Sequence, residues 1–260
     1  MKRRADRALL ALLVVSVALP VALLVLRALA PTWFFPAILP DAGTPFRLRG
    51  AFPDGRVWRA LGVSLTLAVA TGVIGTVVAF FAGRTLARAS AGVRQLAAFV
   101  AFLPVIAPPI ALGVGLQVVV LQAGLGGGFA GVLIAHLIPA IGYLSLYFLG
   151  VLTAYDTAME DEARTLGASP WQVLARVTIP ALKGRIVESV LLGSLVSWGQ
   201  LALTLLVGGG AVRTLPVELL SYVRAGDDRI GAAAALLLTV PPTLAIGLLS
   251  VGARRTGVAT

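Results

Sequence analysis

Six long apolar runs set the main constraint on how this chain can fold. Each run is near the ~20 residues that a helix needs to cross the hydrocarbon core of a bilayer. Backbone groups inside lipid must be hydrogen-bonded within their own segment, and the runs lack the alternating pattern of barrel strands, so they are predicted to be helices. The predicted spans cover residues 8–29, 60–82, 96–121, 129–153, 186–207 and 230–251. We therefore predict an all-α membrane protein with about six transmembrane helices in a single transmembrane domain over residues 1–260.

Composition agrees with a membrane location and excludes several kinds of site. Hydrophobic residues make up 58% of the chain and charged residues 12%, whereas soluble domains average about 45–50% and about 25%. The net charge of +10 comes from basic residues that stand singly beside apolar runs, without the clustered cations of a nucleic-acid surface. The chain has no cysteine, which removes disulfides, thiol nucleophiles and cysteine metal ligands. We predict no metal site and no nucleic-acid partner.

The basic residues also indicate how the chain crosses the membrane. Lys2, Arg3, Arg4 and Arg7 precede the first apolar run. That run is longer than the ~7–15-residue core of a signal peptide, so an uncleaved span is predicted. With the N-terminus in the cytoplasm, the basic loops after the second and fourth spans also lie inside, as the positive-inside rule requires, although the first outer segment is itself basic. We predict a multi-pass inner-membrane protein with both termini cytoplasmic.

A charged segment at residues 156–185, between the fourth and fifth predicted spans, carries helix start and stop signals. Thr157 and Glu160 have the spacing of a capping box, and the helix dipole favours acidic residues in a first turn. Gly167 follows where a left-handed C-terminal stop is expected. These signals predict a short helix that starts at Thr157 and stops at Gly167.

A second helix is predicted directly after this turn. Ser169, Pro170 and Gln172 are the cap, the first-position proline and the third-position glutamine of a helix start. Pro180 is predicted to end the helix, because the residue before a proline is pushed away from helical geometry. The result is a helical elbow with an acidic first arm and an apolar second arm that includes Trp171. Such an elbow is typical of a surface that is held against another protein.

The same segment resembles the EAA loop of ABC importer permeases. That loop reads Glu-Ala-Ala, three residues, Gly, nine residues and Ile-x-Leu-Pro, and the spacing is preserved here. The matching residues are Asp161, Glu162, Ala163, Gly167, Val177, Ile179 and Pro180. Asp161 replaces the first Glu and Glu162 replaces an Ala, while Glu160 offers a carboxylate one position earlier. Which of the three carboxylates contacts the partner is left open.

This resemblance implies a fold like that of the type I ABC importer permeases and a function in transport. The chain would form half of a substrate pathway and would couple its spans to a cytoplasmic ABC ATPase dimer through residues 156–185. It would not be an enzyme and would bind no cofactor itself, since ATP and magnesium would be bound by the ATPase subunit. Its other partners would be a second permease, an extracytoplasmic substrate-binding protein and the lipid bilayer. The implied coupling residues are Glu160, Asp161, Glu162, Ala163, Gly167, Ala168, Ser169, Pro170, Trp171 and Pro180.

Two shorter patterns resemble the polyamine, ferric-iron and thiamine branch of these permeases. They are Ala135-His136 in the fourth span and Thr214-Leu215-Pro216 before the last span. This resemblance implies a polyamine-type or related small solute. The polar residues form neither an acidic nor a basic ring that would identify the solute. Whether the second permease is the same chain or a sister chain is also left open.

Polar residues within the spans allow more than one interpretation. Ser194, Ser197, Gln200 and Thr204 recur at helical spacing on the fifth span and are predicted to line a pathway. Ser and Thr residues also join helices in membranes, which is the alternative explanation. His136 is the only histidine. It is either a functional group or a neutral imidazole that is hydrogen-bonded to a neighbouring helix.

Two other function classes stay open at this point. An intramembrane hydrolase could use Ser64 as nucleophile with His136 as its base, although this is a weak pattern in a chain rich in Gly and Ser. Half of a secondary transporter would ordinarily carry ion-coupling charges within its spans, or inverted repeats. Apart from Glu188, which lies near a span end and is expected to pair with Arg185, the later predicted spans have no such charges.

Overall fold

A computed structural model describes residues 2–30, 33, 36–40 and 55–255. Over these residues all regular structure is helical, which confirms the predicted all-α class. The helices are α1 (Lys2–Leu29), α2 (Arg56–Ala87), α3 (Ala91–Ile106), α4 (Pro109–Gln122), α5 (Phe129–Thr153), α6 (Ala158–Thr165), α7 (Pro170–Val173), a π-helical turn (Leu174–Thr178), α8 (Ile179–Trp198), α9 (Leu201–Gly208), α10 (Leu215–Arg224) and α11 (Asp228–Arg255). The two chain ends, Met1 and Thr260, for which a cytoplasmic position is predicted, lie outside the described residues.

Four helical segments in the described part of the chain are long and apolar enough to cross a membrane. They are Leu9–Leu29, Arg56–Ala87, Phe129–Thr153 and Asp228–Gly247. Two further pairs of helices meet the same criterion only together, and each pair is sharply bent. Counting each bent pair as one crossing gives up to six spans, in agreement with the predicted number.

The segment predicted as one span over residues 96–121 is divided in two. α3 and α4 meet at an angle of 100°. Ala107 is extended, with ψ at 133°, because the residue before a proline is disfavoured in the helical region. Pro108 is extended as well, with ψ at 129°, because Pro109 follows it. Two consecutive prolines therefore break this segment.

The segment predicted as one span over residues 186–207 is also divided. α8 and α9 meet at an angle of 62°. Gly199 ends α8, and Gln200 leaves the helical region with ψ at 88°. Glycine disfavours the interior of a helix, because it loses more conformational freedom there than any other residue. A helix is therefore more easily interrupted at a glycine. The apolar pattern continues on both sides of the break, so hydropathy alone gives no sign of it.

Pro180 does not end the second elbow helix, and that prediction was wrong. Helical geometry runs from Pro170 to Trp198 without a stop. A proline within an α-helix clashes with the carbonyl four residues earlier and lacks the N–H that would bond to it. Just before Pro180 the turn is widened to π geometry, in which the N–H of Ile179 donates to the carbonyl of Leu174. The wider turn accommodates the proline, so the elbow continues directly into the fifth span.

The chain forms two compact units. The first combines residues 1–62 with residues 213–244, and the second combines residues 63–212 with residues 245–260. The elbow and both bent helix pairs belong to the second unit.

Within the first unit, the end of α1 packs against the start of α11. Ala28, Ala232 and Ala233 form a buried apolar cluster. Arg27 makes an ion pair of 3.3 Å with Asp228. Small apolar side chains and a charge pair thus hold these two helix ends together.

Within the second unit, α2 lies unusually close to α8. A Cβ atom placed on Gly193 would lie only 3.0 Å from the Cα of Gly72. The buried hydroxyls of Thr76 and Ser189 form a hydrogen bond of 2.9 Å between the same two helices. Small residues allow such close approach of helix backbones in membranes. α2 is therefore packed against the helix that continues from the elbow.

Two apolar clusters complete the core of the second unit, and α5 contributes to both. One contains the buried residues Leu67, Val120, Val132, Ala135, Leu203, Val207 and Val212. The other contains Ala79, Phe80, Leu144, Phe148, Leu152, Leu174 and Leu182. Leu174 lies in the π-helical turn, so the second cluster anchors the base of the elbow.

Candidate docking elbow and its buried carboxylate

The first arm of the elbow begins without the predicted capping box. Thr157 precedes α6, but its side chain makes no cap hydrogen bond. Instead, a carboxylate oxygen of Asp156 accepts the N–H of Ala158 at 2.9 Å. Glu160 does not reach back to the helix start, because its side chain is bound elsewhere.

The carboxylate of Glu160 is completely buried and is held by four side chains. Arg84 of α2 binds it in a bidentate manner, with nitrogen–oxygen distances of 3.0 and 2.9 Å. Arg88, one turn further along α2, donates to Oε2 at 3.3 Å, and Arg164 of α6 donates to the same oxygen at 2.8 Å. The hydroxyl of Thr178, in the π-helical turn, donates to Oε1 at 2.5 Å. One carboxylate therefore joins α2, α6 and the start of the fifth span.

These contacts also set the charge state of Glu160. Burial by itself raises the pKa of the carboxyl group, since it penalises the charged form. The hydrogen bonds from Arg84 and Thr178, and the positive charges of Arg84 and Arg164, outweigh burial and hold the pKa below its ordinary value of 4.5. Glu160 is thus an anion at neutral pH. Tyr155 lies nearby, and burial together with the charge of Glu160 raises the pKa of its phenol.

The turn of the elbow has the conformation that the sequence predicts. Gly167 is left-handed, with φ at +86°. The N–H of Gly167 donates to the carbonyl of Arg164 at 3.0 Å, and the N–H of Ala168 donates to the carbonyl of Ala163 at 3.0 Å. These two bonds form a Schellman motif, which satisfies the last carbonyls of α6. The predicted left-handed stop is confirmed.

The second arm also begins as the sequence predicts. The hydroxyl of Ser169 accepts the N–H of Gln172 at 3.3 Å, and the side-chain oxygen of Gln172 accepts the N–H of Ser169 at 2.7 Å. Pro170 occupies the first helical position. The capping box at Ser169 is confirmed, and it fixes the angle between the two arms.

The outer surface of the elbow presents large apolar side chains. Leu166 is 82% exposed, Trp171 is 70% exposed and Met159 is 65% exposed. Asp161 and Glu162 are exposed on the same short helix as Met159. Large apolar side chains therefore protrude among charged ones on this surface.

The other predicted coupling residues surround this surface. Pro170 and Ser169 are exposed at the turn, Ala163 and Ala168 are half-buried, and Pro180 is exposed on α8. Of the three acidic residues left open by the sequence, Glu160 faces inward and the other two face outward.

Sequence reasoning missed Arg84, Arg88 and Thr178 as part of this site. In the sequence, the two arginines belong to the basic loop after the second predicted span, which indicates only topology. Their spacing of four residues places them on one face of a helix, which was the available signal for a shared acidic partner. Nothing in the sequence indicates Thr178, because this residue contacts Glu160 from the π-helical turn, which the sequence does not predict.

The polar residues of the fifth span separate into two kinds. Ser197 and Thr204 are buried and bind the two ring nitrogens of His136, at 2.8 Å to Nδ1 and 3.0 Å to Nε2. Ser194 and Gln200 are half-buried. That these four residues line a pathway stays a prediction. Two of them, Ser197 and Thr204, are hydrogen-bonded to His136 and so also join helices.

The hydrogen bonds of His136 define its tautomer. The hydroxyl of Thr204 donates to the carbonyl of Gln200 at 2.6 Å, so it must accept from Nε2. Nε2 then carries a proton, and in the neutral imidazole Nδ1 accepts the hydroxyl proton of Ser197. The sequence left open a neutral imidazole bonded to a neighbouring helix, and the bonds to Ser197 and Thr204 fit that alternative. The two ring nitrogens are thus bonded to residues of α8 and α9.

Midway along α8, Glu188 has the pairing that the sequence suggests. Arg185 donates to it at 2.9 Å, and the hydroxyl of Tyr147 donates to it at 2.6 Å. The carboxylate is therefore part of a local ion pair.

Comparisons with known proteins place the chain in a family. Residues 1–255 match the family described as binding-protein-dependent transport system inner membrane component. A Salmonella paratyphi A protein named as a 2-aminoethylphosphonate transport system permease, PhnV, is 28% identical over 95% of this chain and 92% of its own length. The putrescine transport system permease protein PotI of Escherichia coli is 29% identical over 71% of this chain and 69% of its own length. The molybdenum transport system permease protein ModB of Mycobacterium bovis is 31% identical over 74% of this chain and 78% of its own length.

Two solved structures share the fold. A bacterial ABC transporter involved in the import of the acidic polysaccharide alginate has a chain that aligns with a TM-score of 0.69 and 18% identity. The alignment covers 95% of this chain and 94% of that one. A bacterial alginate ABC transporter in complex with an alginate pentasaccharide-bound periplasmic protein aligns with a TM-score of 0.59 and 15% identity, over 80% of this chain and 82% of that one. With the family match over nearly the whole sequence, these likenesses show that the chain belongs to the binding-protein-dependent transport system inner membrane components, the permease subunits of ABC importers.

Proposed function

We propose that the elbow at residues 156–185 is the site at which this permease binds a cytoplasmic ABC ATPase. The observation that carries the proposal is the pair of large apolar side chains, Leu166 and Trp171, exposed on either side of a doubly capped turn. A tryptophan that fits a pocket of a partner is a typical centre of binding energy. The Schellman motif and the capping box hold the turn in shape before the partner arrives, which lowers the entropy lost on binding.

The elbow would then lie in the cytoplasm, with both chain ends on the same side. ATP and magnesium would be bound by the ATPase, and the permease would contribute movement of its spans. A second permease, identical or sister, would complete the pathway. A binding protein outside the membrane would deliver the solute, as the periplasmic protein in one of the alginate transporter structures suggests by analogy.

The names of the relatives support a small charged solute. 2-Aminoethylphosphonate and putrescine both carry an amine, whereas molybdenum transport is the named function of another relative. We propose an amine-bearing solute of the polyamine type or a related small solute, to be tested first among these classes.

The docking proposal is tested by co-purification of the detergent-solubilised permease with its candidate ABC ATPase. Trp171→Ala should weaken binding by about 30-fold, the loss of roughly 2 kcal/mol expected for a buried tryptophan at an interface. Gly167→Asp should also release the ATPase, because a side chain is strained at positive φ and the turn would open.

Trp58→Ala is the matched control, since Trp58 is also exposed but lies outside the elbow. It should leave co-purification unchanged. If both tryptophan variants retain the ATPase equally, the elbow is not the docking site.

A further inference from the structure

Glu160 stands out among the acidic residues of the elbow because its carboxylate is fully buried. Both of its oxygens are bonded within the chain, to Arg84, Arg88, Arg164 and Thr178. A group in this position offers nothing for a partner to bind. Its role must therefore lie within the permease itself.

We infer that Glu160 is a positioning residue that transmits displacement of the elbow to α2. The inference rests on the proposed docking of the ATPase to the elbow. Along the chain, the elbow is connected to α5 and α8, whereas α2 ends about 70 residues earlier, at Ala87. The bidentate contact with Arg84 gives the elbow a direct polar connection to α2.

The geometry suits a stiff connection. A bidentate arginine–carboxylate pair fixes both distance and orientation, unlike a single hydrogen bond. Arg84 is only 18% exposed and Glu160 is not exposed, so water screens the pair weakly. Thr178 adds a bond from the helix that continues into the fifth span. α6, α2 and α8 thus meet at one carboxylate and should move together.

The charge balance makes this contact sensitive to substitution. Three guanidinium groups surround one carboxylate, and only Arg164 has a second acidic partner among its described contacts, Asp161 at 2.5 Å. Neutralising Glu160 leaves Arg84 and Arg88 to repel each other without a counter-charge. Removing Arg84 at the same time relieves part of that repulsion, so the two substitutions should be non-additive.

The test uses the full complex of permease, ATPase and binding protein reconstituted in proteoliposomes. Three quantities are measured for each variant: co-purification of the ATPase, ATP hydrolysis, and uptake per ATP hydrolysed. The solute is whichever of putrescine and 2-aminoethylphosphonate, named for two relatives, the wild type takes up. Glu160→Gln should keep the ATPase bound while uptake per ATP falls by about tenfold, within the range of typical coupling between two sites. Tyr155→Phe is the matched control, because it removes a nearby buried hydroxyl that has no hydrogen-bond partner. It should leave all three quantities within about twofold of the wild type.

A cross-link distinguishes transmission from a merely structural role. The natural chain contains no cysteine, so Arg84→Cys/Glu160→Cys can be joined by a short bifunctional thiol reagent without further changes. The unlinked double variant should be uncoupled, and the cross-link should restore most of the uptake per ATP. The reagent is added to the purified, folded complex, so a loss of uptake that arose from misfolding during synthesis would not be rescued in this way.

Three outcomes would overturn the inference. Glu160→Gln could release the ATPase as Trp171→Ala does, which would make it a docking residue. It could leave uptake per ATP unchanged, or the cross-link could fail to restore uptake while the ATPase stays bound. Retention of the ATPase by Trp171→Ala would instead refute the docking proposal, independently of the result for Glu160.

Discussion

His136 should stabilise the bent fifth span. Replacing it should lower the stability of the fold, without a direct effect on transport. Its imidazole binds Ser197 on α8 and Thr204 on α9, on opposite sides of the break at Gly199. Interhelical hydrogen bonds in membranes contribute about 0.6 kcal/mol each on average. His136→Phe removes two of them and leaves the buried hydroxyl of Ser197 without its partner, at a cost of about 1–3 kcal/mol. We expect a total destabilisation of about 2–4 kcal/mol.

The assay is unfolding of the purified permease in mixed micelles with increasing denaturing detergent. Thr204→Val should cost less than His136→Phe, because the Thr204 variant leaves the Ser197 hydrogen bond in place. Ser197→Ala combined with His136→Phe should cost less than the sum of the two, since the stranded hydroxyl is gone. Ser194→Ala, on the same helix but half-buried, is the control and should be nearly neutral.

The reasoning fails if His136→Phe unfolds at the wild-type detergent concentration yet abolishes transport. That result would assign the imidazole a direct part in moving the solute. Equal destabilisation by all four single variants would also contradict it, because the argument depends on which hydroxyl loses its partner.

Two further predictions concern helix packing and acid stability. Gly72→Ala should destabilise the fold by about 1–3 kcal/mol, because the added Cβ would overlap the carbonyl oxygen of Val190, whereas Gly150→Ala meets open space and should be neutral in the same unfolding assay. Since the pKa of Glu160 is held below 4.5 in the folded chain, its stabilising contribution is complete above that value and is lost as pH falls through the lowered pKa. Glu160 should therefore cause no change in the unfolding temperature of the wild type between about pH 8 and about pH 5, and the unfolding temperature should fall at more acidic pH. Glu160→Gln should reduce this acid-dependent fall.

The two capping patterns of the elbow show what local sequence can and cannot predict. Thr157 with Glu160, and Ser169 with Gln172, have the same spacing, and both pairs satisfy the Ser/Thr and Glu/Gln pattern of a capping box. Only the second pair forms the capping box. Glu160 instead binds Arg84, which is 76 residues away in the sequence. A charged pair formed through the fold outweighs a local hydrogen bond, and no short window of sequence around Glu160 contains Arg84.

The helix breaks differ in how visible they are in the sequence. Pro108 and Pro109 mark the break between α3 and α4, although hydropathy alone suggests one continuous span. The break at Gly199 has only a glycine as its signal, in a chain that contains 29 glycines. Pro180 is the opposite case, since its strong stop signal is overridden by a π-helical turn. Apolar content predicts where the chain can cross a membrane, but backbone hydrogen bonding decides where it bends.

The continuous helix from Pro170 to Trp198 is long enough to carry a displacement of the elbow to its other end. At 1.5 Å per residue it is about 44 Å long, which is close to the ~40–45 Å thickness of a bilayer with its headgroups. A tilt of about 10° applied at the elbow would displace the far end by roughly 7–8 Å over that length. The displaced end is the bend at Gly199, where His136 holds the two helix segments. A small tilt of this helix at the elbow would thus move the bend at Gly199 relative to the neighbouring helices, and no helix would have to unfold.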